Sequence, residues 1–173
     1  MHVLTSMVVA ISVWRRGDWK GWLKYHSTIL YFVLGNVMYL YLTASYDLWA
    51  FEGDFLSNYI FTEMLYIFIV FPGTTILYLS RMPEEKKGRL VHIIKWVLLY
   101  AAVESVYTYI TNSIQYDNGW SLSWSILFDC VMFPMLLLHH KRPLLAYALS
   151  LPIALFLIWY FEVPVHLPIE QRM

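Results

Sequence analysis

Five long apolar stretches, broken by few charged side chains, dominate this chain: Ser27–Ala44, Tyr59–Ser80, Leu90–Asn112, Ser121–Leu138 and Leu144–Phe161. A helix needs about 20 apolar residues to cross roughly 30 Å of hydrocarbon. Each stretch meets or approaches that length. In lipid a spanning segment must satisfy its own backbone hydrogen bonds, so each is expected to be helical. A barrel is not expected, because these are continuous runs rather than short alternating strands. Composition agrees: 60% of the 173 residues are hydrophobic and 14% charged, against about 25% charged in soluble domains.

Met1–Trp14 is also apolar but shorter, about 21 Å at 1.5 Å per residue. A secretory signal peptide carries its basic residues before the apolar run. Here Arg15 and Arg16 follow it. The segment reads as a short first span with both arginines snorkelling at its inner end. The expected fold is therefore all-α: a polytopic transmembrane helix bundle of six spans (1–14, 27–44, 59–80, 90–112, 121–138 and 144–161), forming one integral membrane domain over residues 1–173. Five spans, with the first segment lying on the surface, is the alternative.

Charge sets an expected orientation. Arg15, Arg16, Lys20 and Lys24 follow the first segment; Arg81, Lys86, Lys87, Arg89 and Lys95 surround the turn between the third and fourth; Lys141 and Arg142 separate the fifth and sixth. Eleven of the twelve basic residues thus fall on one side, and Arg172 is the exception. Basic residues collect in cytoplasmic loops, so both termini are expected outside. The opposite loops carry Asp47, Glu52, Asp54 and Asp117. Topology alone requires this asymmetry, and it does not point to an anionic ligand. Twelve basic against twelve acidic residues leave no field for nucleic acid.

Aromatic residues flank the same loops: Trp14, Trp19, Trp22 and Tyr25 on the basic side, and Tyr46, Trp49, Phe51, Phe55, Tyr116, Trp120 and Trp124 opposite. Such belts mark the membrane interface. Arg15–Tyr25 interleaves charges with tryptophan and reads as a short amphipathic segment along the inner surface.

Polar groups inside spans are costly and face the bundle interior. Asn36, Glu104 and Asp129 each lie eight residues from the outer end of their stretch, about 12 Å deep. Glu63 lies one turn in from the same side. No span carries a Lys or Arg near this depth. These four residues are the candidate site for a small solute or cation, with a proton, a cation or a cationic ligand as counter-charge. The rival reading makes them hydrogen-bonded glue between helices, in a structural or sensory subunit that needs a protein partner. Pro72, Pro134 and Pro152 interrupt three spans as kinks. A weak internal repeat relates Tyr46-Asp47-Leu48-Trp49, Glu63, Phe71-Pro72 and Arg81-Met82-Pro83 to Tyr116–Trp120, Asp129, Phe133-Pro134 and Arg142-Pro143. It would make two helical hairpins alike.

Catalytic motifs are missing: no G-x-S-x-G, H-E-x-x-H, P-loop or GxGxxG occurs. Glu84-Glu85-Lys86-Lys87-Gly88-Arg89 fits the E-E-x-x-x-R pattern of intramembrane CAAX-type proteases, but it follows Pro83 in a basic loop and reads as loop charge. His139 and His140 adjoin Lys141 and Arg142, which disfavours a metal site. Cys130 reads as core packing, and a single cysteine allows no internal disulfide. The reading is of a non-enzymatic chain with no cofactor or metal, whose surroundings are the lipid bilayer.

Trp14-Arg15-Arg16-Gly17-Asp18-Trp19, Phe71-Pro72, Asn118-Gly119-Trp120, Phe133-Pro134 and Lys141-Arg142-Pro143-Leu144 together resemble a family of small uncharacterised multi-pass membrane proteins of spore-forming Gram-positive bacteria, chiefly bacilli and clostridia. The resemblance covers nearly the whole chain. It implies a multi-pass protein of the bacterial plasma membrane and no activity.

Overall fold

The computed structural model describes residues 1–53 and 58–172; Asp54 and Phe55 lie outside them. The chain is mostly helical. We number α1 His2–Arg16, α2 His26–Leu42, α3 Tyr59–Ser80, α4 Lys86–Tyr109, α5 Leu122–Lys141 and α6 Pro143–Tyr160. α3 is two α-helical pieces joined by a π turn at Tyr66–Val70. A 3-10 segment, Trp19–Lys24, joins α1 to α2.

Four of these helices, α3 to α6, are long and apolar enough to cross a membrane. α1 and α2 have 15 and 17 residues, about 22 and 26 Å. The accessible surface is 10613 Å², against roughly 8,900 Å² for a soluble monomer of this mass. Many large hydrophobic side chains are exposed. On α6, Leu144, Leu151, Leu155 and Trp159 are all exposed at spacings that place them on one helix face. A side presented to hydrocarbon looks like this.

α3 is the central helix: 50% of its apolar window is buried, against 11% for α4 and 6% for α6. α1 and α2 pack on α3, α2 packs on α5, and α5 packs on α4 and α6. Gly73 lets α1 approach α3 closely, because a Cβ there would lie 2.4 Å from Val9 Cγ1. The π turn sits just before Pro72, which has no N–H and would clash with the carbonyl four residues back. The widened turn relieves that clash. The Thr74 and Thr75 hydroxyls then donate to the Val70 and Phe71 carbonyls at 2.8 and 2.7 Å. Pro134 and Pro152 lie inside continuous helices. Beside Pro134, the Tyr78 hydroxyl donates to the Phe133 carbonyl at 2.9 Å.

Contacts across the bundle collect the basic segments at one end. The Arg81 guanidinium donates to the Arg16 carbonyl at 3.0 and 3.2 Å. Thr28 meets His139, and His92 meets the Tyr78 carbonyl. Arg172, the basic residue outside this pattern, is buried and donates to the Leu42 carbonyl at 2.9 Å. It caps the C-terminal end of α2, where the macrodipole favours a cation. The Glu84–Arg89 motif is the entry into α4: Arg89 donates to the Pro83 and Glu84 carbonyls, and both glutamates are exposed.

The opposite loops hold an element the sequence reading did not include: Trp49–Phe51 (β1) and Ile114–Tyr116 (β2) form an antiparallel ribbon pairing Trp49 with Tyr116 and Phe51 with Ile114. These are aromatic and β-branched residues that favour strands, and their partners lie far apart in sequence. Cys130 is exposed on α5 rather than packed in the core. One residue along a helix turns the side chain about 100°, and its neighbour Asp129 takes the inward position.

Candidate functional site

The four candidate polar residues lie in the half of the bundle beneath the ribbon, as two pairs. Between α2 and α3, the Asn36 amide donates to Glu63 Oε2 at 3.5 Å. Both residues are buried, and Glu63 Oε1 has no hydrogen-bond partner among the described residues. Between α4 and α5, Glu104 lies within electrostatic reach of the Asp129 carboxyl. Asp129 is 5% exposed, and its Oδ2 is likewise unpartnered. The hairpins α2–α3 and α4–α5 thus each carry one polar residue on the first helix and an acid on the second. No hydrogen bond joins the two pairs among the described residues, so Asn36 partners Glu63 rather than Glu104 or Asp129.

Glu104 is held from the ribbon. The Tyr116 hydroxyl, at the end of β2, donates to Glu104 Oε1 at 2.8 Å and accepts from Thr108 Oγ1 at 3.1 Å. Thr108 is one helical turn beyond Glu104, on the same face. Ser125 lies within reach of the same carboxyl and accepts from the Trp120 indole N–H at 2.8 Å. A chain of polar contacts therefore runs from the ribbon through Glu104 to the start of α5. Beneath Asp129, the Tyr100 hydroxyl donates to Thr74 Oγ1 at 2.9 Å.

Above the pairs, the ribbon closes the end of the bundle. The Asp117 N–H donates to the Leu48 carbonyl at 2.8 Å, and the Asn118 amide donates to the Asp47 carbonyl at 2.9 Å. The repeat's two loop motifs are thereby bonded to each other. Burial, and after it the nearby Asp117, push the Asp47 carboxyl above the usual carboxylate range. Acidic groups are thus found both in the cap and below it.

Sequence reasoning missed two polar clusters. At the N-terminal end of α1, His2 is fully buried, with Nδ1 3.3 Å from the Tyr66 hydroxyl and Nε2 3.0 Å from the Glu52 carbonyl oxygen. Thr5 hydrogen-bonds the Tyr107 hydroxyl beside it. At the other end, buried His139 stacks on Tyr31 at 4.3 Å with Nδ1 3.1 Å from Thr28 Oγ1, and its Nε2 is unpartnered. Both clusters join segments tens of residues apart, for which the sequence carries no local signal. Among the described residues, no group of three or more His, Cys, Asp or Glu is placed to hold a metal ion.

No known protein family, curated protein or solved structure matches this chain.

Proposed function

We propose that this chain is a six-span, non-enzymatic protein of a bacterial plasma membrane, with its basic end cytoplasmic and both termini outside, and that it binds or passes a small solute or cation at the polar layer beneath the ribbon. The observation that carries this reading is the pair of buried, unpartnered carboxyl oxygens, Glu63 Oε1 and Asp129 Oδ2, in a layer whose spans hold no Lys or Arg at that depth. A buried carboxylate without a cation is costly. Protonated, these carboxyls would be glue between helices; as a site they take a small cation or a cationic solute as partner. α1 and α2 reach across by local thinning and snorkelling of Arg15, Arg16 and Lys24, the usual accommodation of short spans.

Trp120 is a built-in reporter, because its indole bonds Ser125, which neighbours Glu104. Titrating the detergent-purified protein with Na⁺ or K⁺ at fixed pH should change tryptophan emission saturably. Glu104→Gln with Asp129→Asn should abolish that change while leaving helix content intact. A response that survives the double change refutes the reading.

Glu104 itself supports a second reading. Its Oε1 is satisfied by Tyr116, as interhelical glue would be. Under that reading the chain is a structural or sensory subunit of a membrane assembly, and the double variant loses folded protein.

A further inference from the structure

Two apolar grooves open on the flank of the bundle. One, of about 300 Å³, runs between α5 and α6 past Trp124, Phe128, Pro152 and Phe156. The other, of about 330 Å³, runs between α1 and α3 and is lined by Ala10, Trp14, Trp19, Phe68, Pro72 and Gly73. The second follows from the local sequence. Gly73 pins α1 to α3 at Val9, while the π turn and Pro72 offset the rest of α3. The exposed rings of Trp14 and Phe68 stand as ridges on either side.

The two grooves differ in where they end. The α1–α3 groove ends at Trp19, and the Lys20 ammonium lies 5.7 Å from that ring's centroid. Arg15 and Arg16, in the last turn of α1, are exposed and directly follow Trp14 of the groove lining in sequence. The acid facing this cluster is Asp18, which is already engaged by Lys24 at 3.1 Å and by the Gly21 N–H. Arg15, Arg16 and Lys20 make no ion pair among the described residues. Both linings are aromatic and aliphatic, but the α5–α6 groove ends at Trp120, where the adjoining loop carries Asp117 and no basic residue.

We propose that the α1–α3 groove is a specific site for an anionic phospholipid: one acyl chain lies along Ala10, Phe68 and Gly73, and the phosphate sits among Arg15, Arg16 and Lys20. An apolar slot continuous with unpaired cations matches a molecule that carries a chain and a phosphate, and anionic headgroups attract such clusters. The site rests on the chain's being embedded in a bilayer and is independent of the carboxyl pairs.

The test is native mass spectrometry of delipidated protein offered equal phosphatidylglycerol and phosphatidylcholine with matched chains. Preferential retention of one phosphatidylglycerol per chain is expected. Replacing Arg15, Arg16 and Lys20 with Gln should cut that preference on the order of 100-fold. Ala10→Trp, at an exposed groove position, should remove the bound lipid, whereas Ile153→Trp in the other groove should not. Should Ala10→Trp fail to fold, the charge triple decides, because it leaves the groove intact. Equal retention of both lipids overturns the site. So does an equal loss when Lys86, Lys87 and Lys95 are replaced instead, since that reports a generic basic ring. Retention unchanged in the Glu104→Gln, Asp129→Asn variant separates this site from the polar layer.

Discussion

The close approach of α1 to α3 makes Gly73→Ala an informative perturbation. The added Cβ would lie 2.4 Å from Val9 Cγ1 and 3.2 Å from Val13 Cγ2. Carbon atoms rest at about 3.5–4.0 Å, so the first contact is short by more than about 1 Å. Valine in a helix has essentially one χ1 rotamer, so it cannot swing aside and the helices must part. Overpacking of this kind costs about 1–3 kcal/mol. Alanine regains up to about 1 kcal/mol of helix propensity over glycine, leaving a net loss of roughly 0–2 kcal/mol. The decisive quantity is therefore the coupling with Val9→Ala, which removes the clashing methyls. In that background Gly73→Ala should be neutral or stabilising, giving a coupling of about 1–3 kcal/mol. Denaturant titration in mild detergent, followed by tryptophan emission, measures all four corners of the cycle. Additivity within about 0.5 kcal/mol would refute the packing of α1 on α3, and with it the helical pairing on which the six-span proposal rests.

Two further outcomes follow. Tyr116→Phe deletes the hydroxyl that donates to Glu104 and should cost about 1–2 kcal/mol, with a matching shift in Trp120 emission; an unchanged protein would mean the ribbon does not hold Glu104. Asp18 is held below its usual range first by the hydrogen bond from Lys24. A lowered carboxyl pKa stabilises above the unfolded value of 3.8 and loses that contribution as pH falls through the folded value. The Trp19–Lys24 segment should therefore loosen below about pH 4, as read by Trp19 quenching in a Trp22→Phe background, since Trp22 packs against the His26 ring. Asp18→Asn should flatten that response, and a response that persists would assign it elsewhere.

What could be read from the sequence was what depends on local pattern. Tyr59–Ser80 is a helix over the expected range, because its apolar run is bounded by Asn58, whose side chain caps Phe61 N–H, and by the Arg81-Met82-Pro83 turn. α4 begins four residues earlier than the apolar run, since Lys86, Lys87 and Arg89 are good helix formers that need not sit in lipid. It ends at Tyr109 because Asn112 takes a positive φ of 49°, which terminates helices. The depth count grouped Asn36 with Glu104 and Asp129, whereas Asn36 bonds Glu63: helix adjacency is a tertiary fact. The ribbon, His2 among Tyr66 and Tyr107, and the Arg172 cap all join residues far apart in the chain, where no spacing rule operates.

The central claim is that the polar layer beneath the ribbon holds a small partner. Its most direct test is native mass spectrometry of the protein purified in mild detergent from bacterial membranes, alongside Glu104→Gln with Asp129→Asn. The account predicts a reproducible low-mass adduct on the wild type that the folded double variant lacks. Identical bare masses for the two proteins would contradict it and leave the carboxyl groups as interhelical glue.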